Sequence, residues 1–166
     1  MEIVSEPDMR SAQEAAAYLR KLSTLLRYIG TCTGSMEEGS LRCDVNVSLN
    51  RPGEAWGTRV EVKNVNKIKS VMRAIEFEIA RQSSMLDAGQ RVPQETRYFD
   101  AAAGSTVFMR SKESETDYRY MPEPDLPPLR VPPALLEAAR SGLPELPDAM
   151  RYVRRVKCVM SLWDVF

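Results

Sequence analysis

Two short stretches gather the side chains most able to do chemistry. In Met36-Glu37-Glu38-Gly39 two carboxylates stand beside a glycine, and the run after it puts Arg42, Asp44 and Asn46 at alternate positions. Further on, Arg59, Glu61 and Lys63 alternate in the same way. Carboxylate oxygens suit Mg²⁺, a hard cation that commonly shares its ligand shell with substrate phosphates. A glycine lets the backbone bend closely round a ligand. A third stretch, MRSKESETDYRY, carries Arg110, Lys112 and Arg119, cations of the kind that stabilise charge developing on a transferred phosphoryl group. Asp and Asn are disfavoured inside strands, on a scale spanning about 1 kcal/mol. Asp44 and Asn46 therefore carry a small stability cost. The pattern alone leaves two readings open. One is a solvated sheet face laced with cross-strand ion pairs. The other is the floor of a site where carboxylates and cations converge on a ligand or metal. Adjacent glutamates and mixed-sign loops are common on surfaces, so spacing by itself favours the first.

Other chemistries are excluded by composition. The chain has no histidine, which removes a Ser-His-Asp triad, a Cys-His dyad and an H-E-x-x-H zinc helix within it. Ser111 lacks a histidine to activate it and is not a nucleophile candidate. No G-x-x-x-x-G-K-[ST] occurs, so ATP, if used, is not held by a P-loop. Cys32, Cys43 and Cys158 are too scattered for a disulfide framework or a C-x-x-C knuckle, and suggest a reducing compartment. Cys43 falls on the apolar strand face and reads as core. The 23 basic and 23 acidic residues cancel, which argues against a free-standing nucleic-acid binder. No apolar run approaches transmembrane length, and MEIVSEPDMRS does not read as a targeting segment.

The elements that must position these groups are legible from periodicity. Glu2 to Val4 suggests a short strand, followed by a turn at Glu6-Pro7-Asp8. Ser11 and Glu14 form a capping box ahead of a helix whose apolar face is Ala15, Tyr18, Leu19, Leu22, Leu25, Leu26 and Ile29, stopped at Gly30. Leu41, Cys43, Val45, Val47 and Leu49 alternate with polar residues, NRPGEAW turns the chain, and Val60 and Val62 answer on the second strand. A second helix follows, with Ile68, Val71, Met72, Ile75 and Ile79 inward and Gly89 at its end. RVPQETRYFDAAAGSTVFMRSK reads as a second hairpin turning near Gly104. The Pro- and Tyr-rich SETDYRYMPEPDLPPLRVPP is an extended loop. ALLEAARSG and DAMRYVRRVKCVMSLWDVF are helical. The expected fold is α+β, an antiparallel sheet with helices packed on one face.

At these same residues the chain resembles a known family. MEEGSLRCDVNVS, GTRVEVKNVN, QETRYFD, MRSKESETDYRYMPEPDLPPL and EIVSEPDMRS look like the B subunit of the aspartyl/glutamyl-tRNA(Asn/Gln) amidotransferases, over roughly residues 2–129 and in the family's order. The resemblance implies an incomplete glutamine-synthetase-like catalytic core. Residues 1–130 would be the central part of the kinase/transamidase domain, and 131–166 the start of a helical region whose last residues, RRVKCVMSLWDVF, leave the family's pattern.

The resemblance further implies a ligase that uses ATP and Mg²⁺ to phosphorylate the side-chain carboxylate of Glu-tRNA(Gln) or Asp-tRNA(Asn). Ammonia from a glutaminase partner then displaces phosphate. The implied partners are the amidase, or A, subunit of a heterotrimeric amidotransferase, its small C subunit and the misacylated tRNA, with no membrane. By motif match Glu37 and Glu61 would be metal ligands. Arg42, Asp44, Asn46, Lys63, Arg110, Lys112 and Arg119 would contact phosphate, substrate or the metal's surroundings. The family's remaining metal ligands, a histidine among them, are expected in a segment not found in this chain, as is a C-terminal domain that grips tRNA. Lys67 stands where relatives usually have Ser. A mitochondrial matrix location is expected if the source is eukaryotic, and a bacterial cytoplasm otherwise. The alternative expectation is a truncated, non-catalytic module that docks on the amidase partner or on tRNA.

Overall fold

The structure is a computed structural model that describes residues 2–111, 122 and 124–152. The chain is α+β, with a four-stranded sheet in the order β1-β2-β3-β4: β1 Val45–Val47, β2 Val60–Lys63, β3 Glu95–Asp100 and β4 Ser105–Ser111. Helices α1 (Ala12–Tyr28) and α2 (Ile68–Asp87) pack on one another, and α2 reaches both β1 and β4. A third helix, α3 (Pro133–Ser141), buries none of its residues.

The expected hairpins both form: β1 pairs antiparallel with β2, and β3 with β4. The expectation of an all-antiparallel sheet is corrected at the centre, where β2 and β3 run parallel. Between them lies α2, and a crossover of that length is what a parallel pair requires. Glu2 to Val4 forms no strand. β1 is also shorter than its alternating pattern, because its partner β2 runs only from Val60 to Lys63. There Asn64 takes φ +64°, a left-handed backbone that Asn tolerates better than most side chains, and turns the chain off the sheet. Gly57 fixes the start of the return path, since a Cβ there would stand 1.9 Å from the Leu49 carbonyl oxygen.

Local chemistry explains the helices. The Ser11 hydroxyl caps α1 by accepting from the Glu14 N–H at 3.1 Å, and the Glu14 carboxylate reaches back to the Arg10 N–H. The line that α1 buries is Ala12, Ala16 and Leu19, while Tyr18, expected inward, is exposed. Two alanines on that line let α1 approach α2 closely. Val45, Val47, Val62 and Phe99 of the sheet join Val71, Ala74 and Ile75 of α2 and Leu19 of α1 in one core. On α2 the buried stripe is not wholly apolar: Ser70, Ala74, Glu78 and Gln82 follow one another at spacings of four, all facing inward.

Candidate functional site

Register sorts the sheet into two faces. Val45, Val47, Val60 and Val62 are buried, and Val45, Val47 and Val62 belong to the core shared with the helices. Asn46, Glu61 and Lys63 alternate with them and so occupy the helix-free face. Across the strands Asn46 stands opposite Glu61, Glu61 opposite Thr96, and Thr96 opposite Arg110. One lateral row thus crosses all four strands, amide to carboxylate to hydroxyl to guanidinium.

Arg110 joins that row because of a bulge. Thr96 pairs with Arg110 but Arg97 pairs with Phe108, so Met109 is an extra residue in β4. Were Met109 instead paired with Thr96 in regular register, Arg110 would stand opposite Glu95, on the helix side of the sheet.

Electrostatics tie the row together. The Lys63 ammonium donates to the Asp44 carboxylate at 2.6 Å and lies 3.3 Å from Glu61 Oε1. The hydrogen bond to Asp44 holds the Lys63 pKa above its ordinary value; partial burial opposes this, and the charges of Asp44 and Glu61 add to it. On its other oxygen Glu61 accepts from the Thr96 hydroxyl at 3.2 Å. The Glu61 side chain is only 14% exposed, so its carboxylate is held rather than loose. At the β1–β2 end of this face a shallow hollow of about 300 Å³ is lined by Pro7, Asn46, Ser48, Trp56, Gly57 and Arg59.

The sequence-predicted residues are therefore divided. Asp44, Asn46, Glu61, Lys63 and Arg110 share one face. Arg42 is exposed and lies before β1. Glu37 sits in an exposed turn, and its carboxylate pairs at 3.0 Å with Lys67, the residue at the N-cap of α2. Lys67 makes no side-chain cap there, and a cation at a helix N-terminus opposes the helix dipole. Its ion pair with Glu37 gives this unusual residue a physical partner. Lys112 and Arg119 lie outside the described residues. Among the described residues no group of three or more His, Cys, Asp or Glu is close enough to hold a metal. Cys43 packs against the core, and burial followed by the charge of Asp44 pushes its thiol up to about 11. It is a structural thiol, as its place on the apolar face suggests.

Sequence reasoning missed the groups that hold this face from behind. Glu78 of α2, 0% exposed, accepts from Arg81, from Gln82 and from the Thr106 hydroxyl. Arg97 of β3 donates to Thr106 and Glu95, and Glu95 also pairs with Arg81. Burial by itself would raise the Glu78 pKa, but the hydrogen bonds from Arg81, Thr106 and Gln82 outweigh it and the carboxyl is held below its ordinary value. The available signal was the spacing of Ser70, Ala74, Glu78 and Gln82, which continues the buried line of α2. Thr96 was missed as well, because nothing in the sequence pairs it with Glu61.

Comparison with known proteins sets this geometry in a lineage. The sequence profile of the GatB/GatE catalytic domain matches residues 1–137. The chain belongs to the GatB/GatE catalytic domain family. It is 58% identical over 166 residues to the B subunit of the aspartyl/glutamyl-tRNA(Asn/Gln) amidotransferase of Rhizobium meliloti, covering 99% of this chain and 33% of that protein. The same subunit of Erythrobacter litoralis is 58% identical over 151 residues, covering 91% of this chain and 30% of the relative. That of Bartonella tribocorum is 57% identical over 151 residues, with 91% and 30% covered. The chain thus spans about a third of the length of these curated relatives. All four strands, α1 and α2 fall within the matched GatB/GatE region, so the polar row is built wholly from it.

Proposed function

We propose that this chain forms part of the ATP- and Mg²⁺-dependent centre of a tRNA-dependent amidotransferase. The proposed reaction is a two-step amidation. The side-chain carboxylate of Glu-tRNA(Gln) or Asp-tRNA(Asn) takes the terminal phosphoryl group of ATP, and ADP leaves. Ammonia then attacks the acyl carbon and phosphate departs with the C–O bond. A carboxylate is a poor electrophile, and phosphorylation turns its oxygen into a leaving group. The ammonia would come from glutamine hydrolysed by a partner amidase.

The single observation that carries this reading is the Glu61 carboxylate, held on the helix-free face between an ammonium and a hydroxyl in a row that ends at Arg110. The donors suit Mg²⁺ in kind, since the ion takes oxygen ligands and is often bound through one or two carboxylates with water and phosphate completing the shell. Glu61 on this face, and by motif match Glu37 in its separate exposed turn, are the residues that would hold it. When bound, the ion would neutralise charge on the phosphate oxygens. Arg110 and Lys63 would supply positive charge from the protein side, where fixed cations stabilise the loose transition state of phosphoryl transfer. Asp44 would keep Lys63 oriented.

These relatives are bacterial, which favours a bacterial enzyme over a mitochondrial one. No helix among the described residues is long and apolar enough to cross a membrane.

The test is Glu61→Ala and Glu37→Ala in the assembled amidotransferase. Both should abolish ATP-dependent amidation while the partner's glutaminase activity persists. Normal amidation by both variants would refute the assignment. A second reading, a docking module without catalysis of its own, is favoured by α3, whose Leu135 and Leu136 are exposed. Titration with Mg-ATP separates the two: heat of binding supports the first.

A further inference from the structure

Within the row across the sheet, the chemistry of Thr96 has no part in the proposed reaction. Thr96 lies between Glu61 and Arg110 on the helix-free face, yet it is 0% exposed. Its neighbours in sequence turn the other way: Glu95 and Arg97 join the ion pairs behind the sheet. Its hydroxyl donates to Glu61 Oε2 at 3.2 Å, while Lys63 approaches Oε1. A threonine has only one χ angle, and β-branching restricts it further. A buried β-branched hydroxyl is therefore a fixed donor, and it fixes the plane of the carboxylate it binds.

We infer that Thr96 is a positioning residue that orients the Glu61 carboxylate for a divalent cation. The inference rests on the reading of Glu61 as a metal ligand. Carboxylates that bind metals are themselves held by hydrogen bonds, and loss of such an outer partner commonly weakens metal binding or activity by about 10- to 100-fold. The parallel pairing of β2 with β3 is what brings the two residues together. An antiparallel pairing would have given Glu61 a different neighbour.

The experiment uses Mn²⁺ as the probe, with binding to the complete amidotransferase followed by electron paramagnetic resonance and by the rate of amidation. Thr96→Val keeps the shape and removes the hydroxyl. Thr96→Ser keeps the hydroxyl and removes a methyl. Positioning predicts that Thr96→Val weakens Mn²⁺ binding about tenfold and raises the metal concentration needed for half-maximal rate, while Thr96→Ser stays within about twofold. A packing role predicts the reverse order, with Ser the damaged variant, and that result overturns the inference. Should Thr96→Val fail to fold, Thr96→Cys replaces it, and near-normal Mn²⁺ binding by that weak donor counts against positioning. Glu61→Ala is measured alongside. If Glu61→Ala binds Mn²⁺ normally, the metal reading itself fails. If it loses Mn²⁺ while Thr96→Val binds normally, the metal reading stands and the role of Thr96 is refuted.

Discussion

Glu78 Oε1 lies 3.3 Å from Arg97 Nε, joining the middle of a helix to the middle of a sheet. Glu78 is completely buried and Arg97 nearly so, and Arg81, Glu95, Thr106 and Gln82 complete the arrangement. Two carboxylates and two guanidiniums share a water-poor space, so the charges balance. Arg97 belongs to the same strand as Thr96 and faces the opposite way. The network thus clamps from behind the strand that carries the polar row in front.

Removing one member should be costly. Glu78→Ala leaves Arg81 and Arg97 short of a partner, and breaking a buried pair in this way costs about 3–5 kcal/mol. Urea denaturation should show a fall in midpoint of that order. Glu78→Gln keeps hydrogen-bonding capacity without charge and should fall between wild type and Glu78→Ala.

The same carboxylate sets a dependence on acid. Its pKa in the folded protein is lowered, so the folded state binds fewer protons there than the unfolded chain. Its contribution to stability is present above the ordinary carboxyl range, about pH 4.3, and is lost as pH falls through the lower folded value. Melting temperatures taken from pH 7 downward should drop in the wild type. Glu78→Gln should show a shallower drop, and an unchanged slope would refute the role. Lys63 carries the opposite sign: its pKa is raised, so its contribution persists below the ordinary lysine value and fades only as pH rises through the folded value.

Asn64 offers a test of backbone geometry. At φ +64° its side chain also donates to the Phe99 carbonyl at 3.3 Å, linking the end of β2 to β3. Asn64→Gly keeps the backbone angle but loses the bond, for about 1 kcal/mol. Asn64→Ala loses the bond and must bear the left-handed penalty of about 1–2 kcal/mol besides. Thermal melts should therefore rank wild type above Gly above Ala. Parity of Gly and Ala would show that the turn relaxes.

Cys43 should be inert in the native protein. With its thiol at about 11, only roughly one molecule in a thousand is thiolate at pH 8. Iodoacetamide at that pH should leave Cys43 unmodified by peptide mass spectrometry, and label it after denaturation. Rapid native labelling would contradict its packing against the core.

Periodicity made the hairpins and helices visible, because alternation and four-residue spacing are local. The polar face of β1 and β2 was visible for the same reason. The parallel junction of β2 and β3 was not, since it depends on a contact between Glu61 and Thr96 separated by 35 positions. The buried network was hidden by its composition: charged residues on a helix read as solvent-facing unless their partners are known. Glu78 and Arg97 lie in different elements, and neither betrays the other in sequence.

The extra residue at Met109 has a consequence for how β4 can change. Side chains along that strand can vary and still leave Arg110 beside Thr96, because the placement depends on counting residues and not on their kinds. Deleting Met109 would make Arg110 follow Phe108 directly and keep it opposite Thr96 in regular register, whereas pairing Met109 itself with Thr96 would carry the guanidinium to the back of the sheet. Inherited variation in β4 should accordingly tolerate replacement, and loss of the bulge residue, better than a slip of register.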